Sequence, residues 1–267
     1  MRILPALLPA LAALWLGAPV VASRSLAGDG PPAIVPSVGK APASETWAGA
    51  DGMPRIWSAY LGSVAALGGS IRDDGWRVRA SAAYSQSDYT RSYWDSALKE
   101  DRRIDFRSYR KTVDLMVGYH RQLGSVTLKV FAGAVLESKL DAAGKGAPIA
   151  LDDENGFQGE RYGPKLIVET WTRLSDLGFL QADASWSQPL DSFSSRLRLG
   201  WRLGEALSLG PELSVYGHSA GIDESGRVGA FARLEWASGE ISVSTGMAGN
   251  LDRTEGPYGS VNALLRF

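Results

Sequence analysis

Apolar and polar residues alternate with a period of two through most of 46–267. In 75–85, Trp76, Val78, Ala80, Ala82 and Tyr84 share one face, while Arg77, Arg79, Ser81, Ala83 and Ser85 share the other. Segment 109–119 sets Tyr109, Val113, Leu115, Val117 and Tyr119 against Arg110, Thr112, Asp114, Met116 and Gly118, with Lys111 as the one intruder on the apolar face. The same rhythm runs through 126–136, 195–203 and 227–236. It is weaker in 46–52, 55–66, 162–173, 179–188, 207–218, 240–250 and 258–267. Side chains that alternate in this way belong to strands. The pattern predicts an all-β chain of about twelve strands, an even number, joined up and down in antiparallel order.

Which face is inside is the next question. In 195–203, Leu197, Leu199, Trp201 and Leu203 lie opposite Arg196, Arg198 and Arg202. A soluble β-sandwich would bury the Leu/Trp face. A membrane barrel would turn it to lipid and point the arginines inward. Two features favour the barrel. With the first strand starting at the periplasm, the periplasmic joins near 67–74, 121–124, 174–178, 204–206 and 237–239 are short. The opposite joins include 87–107 and 138–161, which are long and charged. The aromatic residues also bracket the strands: Trp76 and Tyr84, Phe193 and Trp201, and Tyr109 and Tyr119 stand eight to ten residues apart. At about 3.3 Å per residue and a tilt of roughly 40°, that spacing spans about 20–25 Å, the height of an apolar membrane band.

The start of the chain supports export. Met1-Arg2 is followed by an apolar run over 3–21 broken by Pro5, Pro9 and Pro19, and then by small residues suited to cleavage after Ala22. This reads as a signal peptide over 1–22, in preference to a retained anchor. Residues 23–44 are rich in Pro, Ala, Gly and Ser without a period and read as a disordered segment, leaving 45–267 for the barrel. No later run is long and apolar enough for a transmembrane helix. A mean hydropathy of -0.10 fits a barrel, since each strand averages an apolar and a polar face. The end of the chain, VNALLRF, alternates up to Phe267, the kind of terminal strand that bacterial barrel-insertion machinery reads.

Composition narrows the chemistry. There are no cysteines, so disulfides, thiolate metal sites and Cys nucleophiles are excluded. The net charge of -1 gives no field for nucleic acid. Of the two histidines, His218 precedes Ser219, which invites comparison with outer-membrane deacylases. Adjacent residues on a strand face opposite sides, however, so the pair lacks the geometry of a nucleophile and its base. DDENG at 152–156 lacks the spacing of a calcium loop. No catalytic residue, metal site or cofactor is expected.

The polar faces supply the candidate lumen residues: Arg77, Arg79, Asp114, Lys129, Glu169, Arg196, Arg198, Arg202, Glu212, Arg233 and Glu235. One reading is a lumen filled by ion pairs. The other is a polar track for a sugar or solute, with Phe131, Phe231 and Tyr216 available for stacking. The segment 87–107 mixes Tyr, Trp and charges and is a candidate surface for polysaccharide or lipopolysaccharide.

Five stretches taken together resemble one known family: LGSVTLKVFAGAVLE (123–137), SRLRLGWRL (195–203), GPELSVYG (210–217), GRVGAFARLEW (226–236) and GPYGSVNALLRF (256–267). They are similar to the cellulose biosynthesis protein BcsS family of outer-membrane barrels, over roughly 46–267. The shared motifs are strands and turns with no catalytic signature. The resemblance implies a non-enzymatic accessory of cellulose or exopolysaccharide secretion in the outer membrane. Its expected partners are membrane lipid or lipopolysaccharide and cellulose or its secretion components. A small-solute channel, or a lipid A or glycan hydrolase, are the alternatives.

Overall fold

The computed structural model describes residues 41–95, 99–143, 158–218, 225–249 and 254–267. Among them run twelve strands: β1 (Ser44–Met53), β2 (Ile56–Ala66), β3 (Gly75–Asp95), β4 (Glu100–Leu123), β5 (Val126–Ala143) and β6 (Gly159–Arg173), then β7 (Gly178–Ser187), β8 (Ser192–Arg202), β9 (Leu207–His218), β10 (Ser225–Trp236), β11 (Gly239–Gly249) and β12 (Thr254–Arg266). Each pairs antiparallel with its neighbours in sequence, and β1 pairs with β12, so the sheet closes into a barrel. Closure leaves no strand edge with unpaired amides, the condition for a sheet to cross hydrocarbon. At the seam, Ala43 N donates to Phe267 O at 2.6 Å and Phe267 N donates to Ser44 O at 2.9 Å.

The barrel is inverted relative to a soluble protein. Leu61, Leu115 and Val228 are 60%, 63% and 62% exposed on the outer wall, whereas Arg77 and Arg198 are 1% and 5% exposed inside. A sandwich core would bury those aliphatic side chains, so the soluble reading is excluded. Leu197, Trp201 and Leu203 all face outward, as the barrel reading requires. The aromatic rings also fall at two levels. Trp76 meets Tyr119 edge-on at 5.3 Å near the short-turn end, and Trp57 meets Tyr84 at 5.3 Å toward the other end. Such belts mark the two interfaces of a membrane barrel.

Two boundaries differ from expectation. The long join at 87–107 is mostly strand: β3 runs for 21 residues and β4 for 24, and β5 extends to 18. Above the membrane the outer face of the hairpin becomes charged, while Ile104, Phe106 and Ser108 stay buried on the inner face. The outward apolar row therefore stops while the ladder continues through Asp88↔Arg107 and Thr90↔Asp105. The segment 23–44 also meets the barrel earlier than its expected end. Ser44 already lies in β1, Ala43 O accepts from Ala66 N at 2.9 Å, and Pro42 O accepts from Ile71 N at 2.8 Å. Residues 1–22, and 23–40 after them, lie outside the described residues.

Candidate functional site

The inward row of every strand is polar near its middle, and the barrel's shear brings distant strands together across the lumen. Arg79 on β3 pairs with Glu169 on β6. Lys129 on β5 lies 4.0 Å from the same Glu169 and 3.9 Å from Glu45 on β1. Asp114 on β4 accepts from Lys165 Nζ at 2.6 Å and from Ser81 Oγ at 2.8 Å. Arg196 Nη2 donates to Asp183 Oδ2 at 2.8 Å, so its partner stands on the strand before it.

The deepest network joins four strands. Arg198 Nε donates to Glu212 Oε2 at 2.5 Å and Arg198 Nη2 to Ser244 Oγ at 3.1 Å, while Tyr258 OH donates to Glu212 Oε1 at 3.2 Å. Arg233 Nε lies 3.2 Å from Glu235 Oε1 near the short-turn end, though not aligned as a hydrogen bond. Arg202 lies near them, with its Nη2 unpartnered among the described residues. Parity along the strands thus places the expected lumen residues inside, but their partners depend on register. The unexpected members are Asp51, which pairs with Arg227 at 2.9 Å, and Arg110, which pairs with Glu137 at 2.7 Å. Inward parity in the weak segment 46–52 is the one sequence signal for Asp51.

Aromatic rings fill the lumen toward the short-turn end. Phe131, Phe179 and Phe231 are buried there. Phe179 stacks on Trp171 at 5.9 Å and meets Phe231 at 6.3 Å. Guanidinium groups lie over these rings: Arg79 over Trp47 at 4.6 Å, Arg198 over Phe231 at 4.9 Å and Arg233 over Phe179 at 4.6 Å. The planar guanidinium stacks on an aromatic face, and Arg79 Nε and Arg233 Nε are buried there without a hydrogen-bond partner among the described residues. The rings lie across inward glycines of neighbouring strands: a Cβ added at Gly62, Gly118 or Gly200 would collide with Trp47, Phe131 or Phe179. These glycines are there because the rings need the space.

The turn between β2 and β3 packs at the same end. Ile71 is 4% exposed and packs with Val64, Met116, Phe131 and Ile167. Arg77 holds the turn by donating to Ser70 O and Ile71 O, both at 3.2 Å, and to Asp73 O. Its Nη2 also lies 3.2 Å from His120 Nδ1. Arg77 therefore acts as a clamp for the turn and does not line open space.

Other expected chemistry falls elsewhere. The His218 side chain, Ser219 and residues 152–156 lie outside the described residues. Among the described residues, no cluster of His, Asp and Glu could hold a metal ion.

An apolar wall, two aromatic belts and a charged, cross-linked interior define a transmembrane β-barrel of the outer-membrane type. The chain belongs to the cellulose biosynthesis protein BcsS family, whose profile matches residues 46–267. No curated protein matches the sequence closely enough to count as a relative. Among solved structures, the chain is similar to a KdgM porin in complex with disordered oligogalacturonate, at 10% identity and a TM-score of 0.47, over 84% of this chain and 99% of that one. It is also similar to the translocator domain of the autotransporter NalP from Neisseria meningitidis, at 13% identity and a TM-score of 0.47, over 84% and 88%. Likeness at this level carries no inference about cargo.

Proposed function

We propose that this protein is a non-enzymatic accessory of cellulose secretion that acts at the outer membrane and passes no glucan through its own lumen. Membership of the cellulose biosynthesis family supports the process, and the barrel supports the place. The observation that carries the mechanism is the lumen itself. Arg79–Glu169 ties β3 to β6, Arg198 and Tyr258 meet on Glu212, and the Ile71 turn is seated among Met116, Phe131 and Ile167. A hydrated polysaccharide would have to break these contacts in passing.

The experiment is deletion in the native host combined with planar-bilayer recording. Deletion is expected to lower surface cellulose while glucan synthesis by isolated membranes persists. The purified barrel is expected to be silent in the bilayer. Unchanged surface cellulose would sink the accessory role. Steady porin-like steps from the wild type would replace it with the small-solute channel.

A further inference from the structure

We infer that the outer wall of the barrel carries a binding site for the phosphorylated headgroup of an outer-leaflet glycolipid, built around Arg55, Arg107 and Lys111. The inference rests on the outer-membrane reading, because that leaflet supplies the lipopolysaccharide.

Register places the site. Arg55 O accepts from Asp88 N at 2.8 Å, Asp88 faces Arg107, and Arg107 faces Ala142, so these residues form one row on the outside of the sheet. The small Ala142 leaves a hollow of about 550 Å³ there, bordered also by Thr90, Asp105 and Tyr109. That volume lies within the range of small-ligand sites, about 300–1,000 Å³.

Its height fits the headgroup layer. Lys111 is in register with Tyr84, whose ring belongs to the outer aromatic belt beside Trp57. Arg107 lies four residues further along β4. At about 3.3 Å per residue and a tilt near 40°, it stands about 10 Å above that belt, beyond hydrocarbon but still against the membrane surface.

Three cations stand at the site, beside the carboxylates of Asp88 and Asp105. Lys111 interrupts the lipid-facing row formed by Val113, Leu115 and Val117, and it has no ion-pair partner among the described residues. A lysine there extends its ammonium upward to the interface, where lipid phosphate is the available counterion. Arg107 spends part of its fork on Asp88, with Nε to Oδ1 at 2.7 Å and Nη2 to Oδ2 at 3.4 Å, which fixes its orientation at the hollow.

Arg55 supplies a further cation. It follows Pro54 in a two-residue turn closed by the pair Met53↔Ile56, and its φ is 69°, one of three non-glycine residues with positive φ among the described residues. Glycine suits a left-handed residue after proline in a tight turn. The side chain borders the hollow and makes no ion pair with any described residue.

The test uses the purified full chain and a deep-rough lipopolysaccharide bearing its lipid A phosphates, with bound lipid counted by native mass spectrometry. Arg55→Gly relieves the turn, so it is expected to leave the unfolding midpoint unchanged or raised while weakening binding about fivefold. That is the loss expected for one basic side chain at an anionic surface. Lys111→Gln is expected to weaken binding similarly. Arg121→Gln, an exposed cation near the short-turn end, is expected to leave it unchanged. The dephosphorylated lipid is expected to bind weakly to every form. Wild-type binding by Arg55→Gly, or equal binding of the dephosphorylated lipid, would overturn the site. Recovery of the protein outside the outer-membrane fraction would instead overturn the reading on which it rests.

Discussion

Arg198 is 5% exposed and Glu212 is 5% exposed, 2.5 Å apart in a lumen that also holds Ser244 and Tyr258 against them. A buried pair of this kind adds little by itself, but removing one member strands the other charge. Arg198→Ala is therefore expected to destabilise the barrel by about 3–5 kcal/mol. Replacing both members by apolar residues of similar size should recover most of that loss. The measurement is a double-mutant cycle from urea unfolding of the refolded barrel. Equal losses in the single and double variants would deny the pair its structural role. The sequence shows that both residues point inward, because each alternates with lipid-facing leucines. It does not show that they meet, since contact across the lumen depends on strand stagger. Arg196 illustrates the difference: its partner Asp183 lies on the strand before it, where charge order suggests one after it.

At the scale of the element, the extension of β3 and β4 rises beyond the hydrocarbon and holds together by cross-strand pairs. Asp88 meets Arg107, Thr90 Oγ1 donates to Asp105 Oδ1 at 2.7 Å, and Tyr89 stacks on Phe106 at 5.3 Å. Arg107's hydrogen bond holds the Asp88 carboxyl below its ordinary range. A group whose pKa is lowered by folding adds order above its unfolded pKa and loses it as pH falls through the folded value. The hairpin is thus expected to resist protease equally from pH 7 to about 5 and to be cut modestly faster below about pH 4. Asp88→Asn should remove that pH dependence, as measured by limited proteolysis with an acid-active protease. A tip that opens identically in both forms would show that the stacked rings alone hold it. This element is also where the sequence was least readable. Inside the membrane each strand separates two solvents, and the separation is written in alternation from Trp76 to Tyr84. Above it the outward face carries charge in place of the apolar row, so 87–95 and 100–108 look like charged loop even though their backbone pairing continues and Ile104, Phe106 and Ser108 stay buried.

Over the whole molecule, the proposed function assigns closure of the lumen to two separable layers. One consists of ion pairs and aromatic rings from the wall, such as Arg79–Glu169 and the stack of Trp171 on Phe179. The other is the turn at 67–74, an insertion whose composition gives no hint that Ile71 folds inward. Its place depends on Arg77, because three carbonyls of the turn share that one guanidinium. Without the clamp Ile71 O and Asp73 O lose the guanidinium, and the turn keeps the apolar contacts of Ile71, its N–H bond to Pro42 O and the Asp73 N–H bond to Ser70 O. Arg77→Ala combined with Ile71→Ser is therefore expected to release the turn while leaving the twelve paired strands intact. Planar-bilayer recording distinguishes the layers. If the turn is the seal, the wild type is silent and the double variant shows brief conducting steps carried by small ions. If the double variant stays silent while circular dichroism reports a complete barrel, the turn is not the seal. The wall residues then close the lumen unaided, and Glu169→Ala, which frees Arg79, becomes the change expected to open it.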